Sequence, residues 1–290
     1  MKPMSIVMLG LSIAVAGSTL AAAQDSTSVP KVLQITREYI KPYKAGAAHD
    51  KTESAFVETF RRAKFPAYYV ALNSLTGKSR ALYLTGYDSF ETWGKDNDLV
   101  NKNKVLADGI ERAGLADGEL LESVDTEVLT YNEESSYKPH PDMSNARYVE
   151  IYVYHVRPGH GADWNKLTKM VKGAHDKAGD SVHWAMFEVA YGGEGGTYVA
   201  FSGAKSLADV DTGFSEDKKF AAALGEDGMK EMDKLYGETV DASHSELFSV
   251  NPRQSYVPDS WIKADPDFWR PKPAAAPAAK PAAEEKKAKP

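Results

Sequence analysis

Histidine and carboxylate are the only strong metal ligands in this sequence, whose 290 residues include seven His and 41 Asp or Glu but no Cys. The lack of Cys also removes disulfides, iron–sulfur clusters and cysteine nucleophiles. His49 and Glu53 stand four apart and would share a helix face, while His155, His160, His175 and His183 come much later in the chain. No His-Glu-x-x-His pair or similarly strict spacing occurs, so His49 and Glu53 are expected to be a solvated pair with no metal bound. A serine nucleophile is not indicated, because there is no Gly-x-Ser-x-Gly elbow and no triad order. The glycines of Tyr191-Gly-Gly-Glu-Gly-Gly196 lie between two strand-like runs. Phosphate loops run from a strand into a helix, so this segment reads as a hairpin turn.

The remaining chemistry sits in two alternating runs, Val32-Leu-Gln-Ile-Thr-Arg-Glu-Tyr-Ile40 and Tyr148-Val-Glu-Ile-Tyr-Val-Tyr-His-Val156. In the second, Val149, Ile151 and Val153 form one face and Glu150, Tyr152 and Tyr154 the other. With the apolar face assigned to covering helices, Glu150, Tyr152 and Tyr154 are expected to point inward, joined by Gln34, Thr36 and Glu38 of the first run and by Trp184. Hydroxyls, carboxylates and rings of this kind suit a small aromatic or apolar ligand. The competing reading is that they pair with one another and fill the space. No catalytic residue is assigned.

The elements that would position these groups come from an internal repeat, residues 32–131 and 147–250, joined by a Pro-containing linker at 132–146. Each opening strand ends in a basic residue and Pro, at Lys41-Pro42 and Arg157-Pro158, where proline cannot continue a ladder. An amphipathic helix follows, with Thr52, Ala55, Phe56, Phe60 and Ala63 on one stripe, matched by Trp164, Leu167, Met170, Val171 and Ala174. Two more strands are expected at 67–73 and Arg80–Tyr87, with counterparts at 182–190 and 197–203. Helix-start signals at Asp88-Ser-Phe-Glu91 and Ser206-Leu-Ala-Asp209 then lead to final strands near 124–131 and 244–250. The order strand, helix, strand, strand, helix, strand is the ferredoxin-like split unit, so the fold class is α+β, two tandem units closing an intramolecular barrel.

The two ends differ from this middle. Lys2, an apolar stretch and Ala21-Ala-Ala23 have the layout of a signal peptide covering residues 1–23, which places the mature chain in the periplasm or outside the cell. Residues 24–31 read as a linker. The net charge is -6. From Arg270 onward six Lys or Arg face two Glu, giving +4, which leaves -11 on residues 24–269 once Lys2 is set aside. The tail from Pro271 to Pro290 is almost entirely Pro, Ala, Lys and Glu and is expected to stay extended. It could touch an anionic envelope polymer. No aromatic residue interleaves its lysines, so nucleic acid is not expected as a partner. Residues 251–270 carry Tyr256, Trp261, Phe268 and Trp269, too many rings to leave in water, and are expected to pack on the barrel.

Through Ile40-Lys-Pro42, Val156-Arg-Pro-Gly159, Thr85-Gly-Tyr-Asp-Ser-Phe90 and Ser202-Gly-Ala-Lys-Ser-Leu207, the chain resembles the dimeric α+β barrel superfamily, which includes antibiotic-biosynthesis monooxygenases, NIPSNAP-like and EthD-like proteins. Its first half is also similar to secreted bacterial proteins through Pro66, Tyr69 and Gly86-Tyr-Asp-Ser-Phe90. The resemblance implies a monomer that builds within itself the barrel other members make by dimerising. Asn73, Trp93, His183 and Trp184 do not align residue by residue with the Asn, Trp and His arrangement of haem-degrading members, so no cofactor is expected. Three functions remain open. The first is a lumen that binds a small molecule. The second is a cofactor-independent monooxygenase or related lyase using Glu38, Glu150, Tyr152 and Tyr154 as acid, base and hydrogen-bonding groups. The third is an envelope interaction protein working through the aromatic segment and basic tail.

Overall fold

The computed structural model describes residues 28–140 and 143–270. The leader-like segment and the tail lie outside them. The first half runs β1 (Val32–Ile40), α1 (Ala47–Ala63), β2 (Tyr69–Ser74), β3 (Arg80–Tyr87), α2 (Phe90–Lys102), α3 (Lys104–Gly118) and β4 (Leu121–Tyr131). The second runs β5 (Tyr148–Val156), α4 (Gly161–Ala178), β6 (Ala185–Tyr191), β7 (Thr197–Ala204), α5 (Leu207–Thr239) and β8 (Val240–Val250), followed by the short α6 (Asp259–Ala264) and α7 (Pro266–Trp269).

Each half lays its strands in the same order, β4-β1-β3-β2 and β8-β5-β7-β6, and the two sheets close into one barrel through β2–β8 and β4–β6. Every pairing is antiparallel. The α+β barrel of two βαββαβ halves is thus formed within a single chain, and closure leaves no open sheet edge to template pairing with other chains.

Local signals fix most boundaries. Both opening strands stop before their prolines, and Ser89 caps α2 by accepting from the Thr92 N–H at 3.1 Å. At α5 the Asp209 carboxylate accepts from the Ser206 N–H at 3.1 Å, one arm of a capping box. The long polar helical region breaks in both halves. Asn103 ends α2 and caps α3, and Gly225 at φ 71° kinks α5.

The glycine-rich segment 191–196 is the β6–β7 turn, and its glycines are not equivalent. A Cβ on Gly192, at φ +85°, would lie 2.2 Å from the Thr126 carbonyl oxygen, whereas one on Gly195 would meet nothing within 4 Å. Gly192→Ala is therefore expected to lose at least about 1–2 kcal/mol from the left-handed backbone alone. Gly195→Ala should be close to neutral, and urea denaturation of the two variants checks the difference.

All eight strands contribute to one interior cluster: Leu33 and Ile35, Leu72, Leu82, Leu129, Val149 and Ile151, Phe187 and Val189, Val199, Phe248 and Val250. A second cluster, with Tyr152, Tyr154, Trp164, Leu167, Tyr198 and Leu235, lies between β5–β7 and the helices α4 and α5. The face assignment made from the sequence is therefore reversed. Val149, Ile151 and Val153 fill the lumen, and Glu150, Tyr152 and Tyr154 lie under the helices. The physical reason is that both strand faces are covered in this barrel, so polarity does not separate inside from outside.

Candidate functional site

The lumen has two chemically different ends. At the C-terminal ends of β1 and β5, the lumen series of β1 and β3 brings in Arg37 and Arg80. Arg80 pairs with Glu246 and lies over the Phe248 ring at 5.3 Å. Arg37 pairs with Asp125 at 2.6 Å and Glu127 at 3.2 Å. That end is therefore lined by ion pairs, two guanidiniums against three carboxylates.

The opposite end is open space. Leu33, Leu84, Val149, Phe187 and Phe201 surround an apolar cavity of about 160 Å³. Three segments outside the repeat roof it: Val29 and Pro30 before β1, His140 and Met143 from the linker between halves, and Val257, Pro258 and Trp261 after β8. The roof is tied down. Tyr256 and Tyr69 exchange backbone hydrogen bonds at 2.8 and 3.1 Å, and the Trp269 indole N–H donates to the Ser144 carbonyl at 3.0 Å. Arg147 pairs with Asp265 and lies 3.7 Å over the Phe268 ring. Tyr256, Ile262 and Trp269 are buried.

Two histidines stand at the rim of this cavity, with ring centroids of His140 and His183 4.5 Å apart. Partial burial holds His183 below the usual histidine range, outweighing the Ser181 carbonyl that favours its charged form, and His140 adds to the depression. An unfolded chain binds that proton more readily than the folded one, so the stability tied to neutral His183 is present above the ordinary histidine pKa and lost as the pH falls below it. His183→Gln is expected to flatten the acid limb of stability against pH, measured by denaturant unfolding between pH 7 and pH 5.

None of the seven lumen candidates from the sequence lies in this cavity. The Tyr152 hydroxyl donates to Glu150 at 2.9 Å, and the Tyr154 ring packs 5.3 Å from Trp164 of α4. The Trp184 N–H donates to the Ser135 carbonyl at 2.7 Å, and its ring packs tilted against Tyr137 and edge-on to His175. Gln34 and Thr36 share the outward face of β1 with Glu38. Of the haem-type residues, Trp93 packs beside Tyr87 outside the barrel.

Glu38 joins a different constellation. His49 and Glu53 of α1 are not solvated but buried, together with Glu38 and with Asp117 of α3, at 0, 3, 8 and 1% exposure. His49 Nε2 is 3.1 Å from Glu38 and 3.6 Å from Asp117. Its Nδ1 is 3.1 Å from Gln254 Nε2, and Gln254 also donates to Asp50 at 3.0 Å. Burial first, then the charges of Glu38 and Asp117, push the Glu53 carboxyl up to about 9 despite the opposing Tyr83 hydroxyl. Asp117 is raised mainly by burial, against the Thr52 hydroxyl that donates to it at 2.5 Å. The sequence displayed the His49–Glu53 spacing, but the approach of Asp117 depends on how α3 docks, and nothing local encodes that.

No protein-family model matches the sequence, and no curated protein matches it at a significant level. Solved structures do. A candidate monooxygenase from Fusobacterium nucleatum superposes with a TM-score of 0.50 at 10% identity, over 77% of this chain and 93% of that one. An anthrone oxidase-like protein gives 0.47 at 12% identity, over 76% and 91%, and a haem-binding protein from Thermus thermophilus gives 0.41 at 11%, over 81% and 98%. Strand order, closure and the likeness to the first of these identify one architecture, the dimeric α+β barrel, built here by two halves of a single chain.

Proposed function

We propose that this protein binds one small apolar molecule, about the size of a single aromatic ring, in the lumen beneath Trp261. The observation that carries this reading is the cavity of about 160 Å³ with its apolar walls. A dry cavity of roughly 150 Å³ lined by Leu, Ile and Phe is enough to take benzene. That the three segments lying outside the repeat all converge on this one end supports a binding role for it. A porphyrin is far too large for such a space, so the haem carried by one structural neighbour is not transferred to this chain. The oxygenase reading is weaker, because Glu38, Glu150, Tyr152 and Tyr154, its candidate acid and base groups, all lie outside the lumen. Action in the periplasm or outside the cell belongs to the same proposal and is supported by the leader-like residues 1–23. Among the described residues no helix is long and apolar enough to cross a membrane.

Native mass spectrometry of the mature chain purified gently from its own source tests this. The expected result is a 1:1 adduct that leaves on denaturation and is absent from Ala185→Phe. A chain that is free of adducts, and that also fails to retain toluene added as a probe, would overturn it.

A further inference from the structure

We propose that the first half holds a structural divalent transition-metal cation between β1, α1 and α3, ligated by Glu38, His49, Glu53 and Asp117. One potential ligand atom from each residue can be chosen so that all four lie within 4.8 Å of one another. That is compact enough for a single ion to reach all of them after small side-chain adjustments, given metal–ligand distances of about 2.0–2.2 Å.

Two independent observations turn this cluster into a site. The first is unmet bonding. Glu53 Oε1 and Asp117 Oδ2 are buried with no hydrogen-bond partner among the described residues, and both belong to side chains more than nine-tenths buried. Neither carboxylate, nor Glu38, forms an ion pair with Lys or Arg among the described residues. Among the described residues His49 is the one basic side chain paired with the cluster, through Glu38 and Asp117. Three buried carboxyl groups share this corner with one imidazole and no Lys or Arg among the described residues, so ionising them together without a bound cation would cost several kcal/mol per charge.

The second is the comparison between the two halves. Glu38 stands two residues before the end of β1, and Tyr154 stands two residues before the end of β5. Where Glu38 meets His49 from the first turn of α1, Tyr154 meets Trp164 from the first turn of α4, and Trp164 lies 4.8 Å from Tyr198. The fold therefore closes this corner with aromatic rings in one half. A polar cluster is not needed for the architecture, so its presence in the other half calls for a ligand.

One imidazole nitrogen with carboxylate oxygens suits Zn²⁺, Mn²⁺ or Co²⁺, whereas Ca²⁺ and Mg²⁺ prefer oxygen alone. Here the Gln254 amide N–H donates to His49 Nδ1, which keeps the neutral ring's proton on Nε2; metal binding at Nε2 requires the amide to turn so that Gln254 Oε1, buried without a partner among the described residues, accepts from Nδ1–H. With every ligand buried, the ion would join β1 to α1 and α3 and leave no position for substrate.

The test uses the full chain, stripped with a chelator and titrated with Co²⁺ and with Zn²⁺. One equivalent is expected to bind with micromolar or tighter affinity, Co²⁺ should develop visible d–d absorption, and Zn²⁺ should raise Tm by several degrees. Glu53→Gln/Asp117→Asn is expected to weaken binding at least 100-fold while far-UV circular dichroism is retained. If the double variant is unfolded, Glu38→Gln supplies the same comparison. Ala185→Phe, whose change lies in the lumen, should bind the metal normally. No metal uptake by the folded chain, or equal uptake by the folded ligand variants, would overturn the proposal.

Discussion

Phe248→Ala is expected to destabilise the chain by about 3–5 kcal/mol, the range for removing a fully buried aromatic ring. Phe248 is 0% exposed and sits where the two halves meet, with β8 paired to Val149 of β5 on one side and to Ser74 of β2 on the other. Its ring also supports the Arg80 guanidinium that pairs with Glu246. Truncation therefore opens a void and loosens a buried charge pair at once. Guanidinium denaturation should show the midpoint falling while the slope stays constant. A loss below about 1 kcal/mol would mean that the seam tolerates a void there, contrary to ordinary core behaviour.

The second large effect concerns binding. Ala185→Phe places a ring in the cavity that Ala185 lines with Leu84, Phe187 and Phe201. Toluene binding is expected to fall at least 100-fold, because the added side chain occupies the space the ligand needs. Adding bulk to a well-packed core costs about 1–3 kcal/mol, but here a void receives it, so stability should hold or rise. Isothermal titration with toluene and thermal melts of the same samples separate the two effects. Unchanged binding would place the ligand elsewhere.

Much of the fold was legible because local physics set it. The strand Val32–Ile40 ends where Pro42 forbids continuation, its repeat partner Tyr148–Val156 ends before Pro158, and Arg80–Tyr87 is bounded by polar turn residues. Elements whose start depends on docking were less exact. The final strands begin at Leu121 and Val240, earlier than the polar sequence of those stretches suggested, because pairing with β1 and β5 extends them. The face assignment failed for a reason specific to barrels roofed by helices. Tyr154 is partly buried under α4 and Val149 is fully buried in the lumen, so alternation exists but its sign is not written in either strand. The same ambiguity hid Arg80 and Glu246, which point into the lumen and lie on strands from different halves.

The candidate sites were less legible than the fold because each is assembled from distant segments. The cavity roof takes residues from before β1, between the halves and after β8, and no spacing rule links Pro30, His140 and Trp261. At the polar cluster, a helical His and Glu at this spacing read as solvated because nothing in α1 reveals that α3 will cover them. The charge in such a cluster becomes informative only once burial is known.

Whether the lumen is the binding site is decided by a crystal structure of the chain soaked with toluene. Electron density is expected for one ring among Leu84, Phe187, Phe201 and Trp261, with Val149 facing it and Glu150, Tyr152 and Tyr154 under α4 and α5. A lumen filled by side chains, or a ring bound on the Glu150 and Tyr152 face instead, would contradict it.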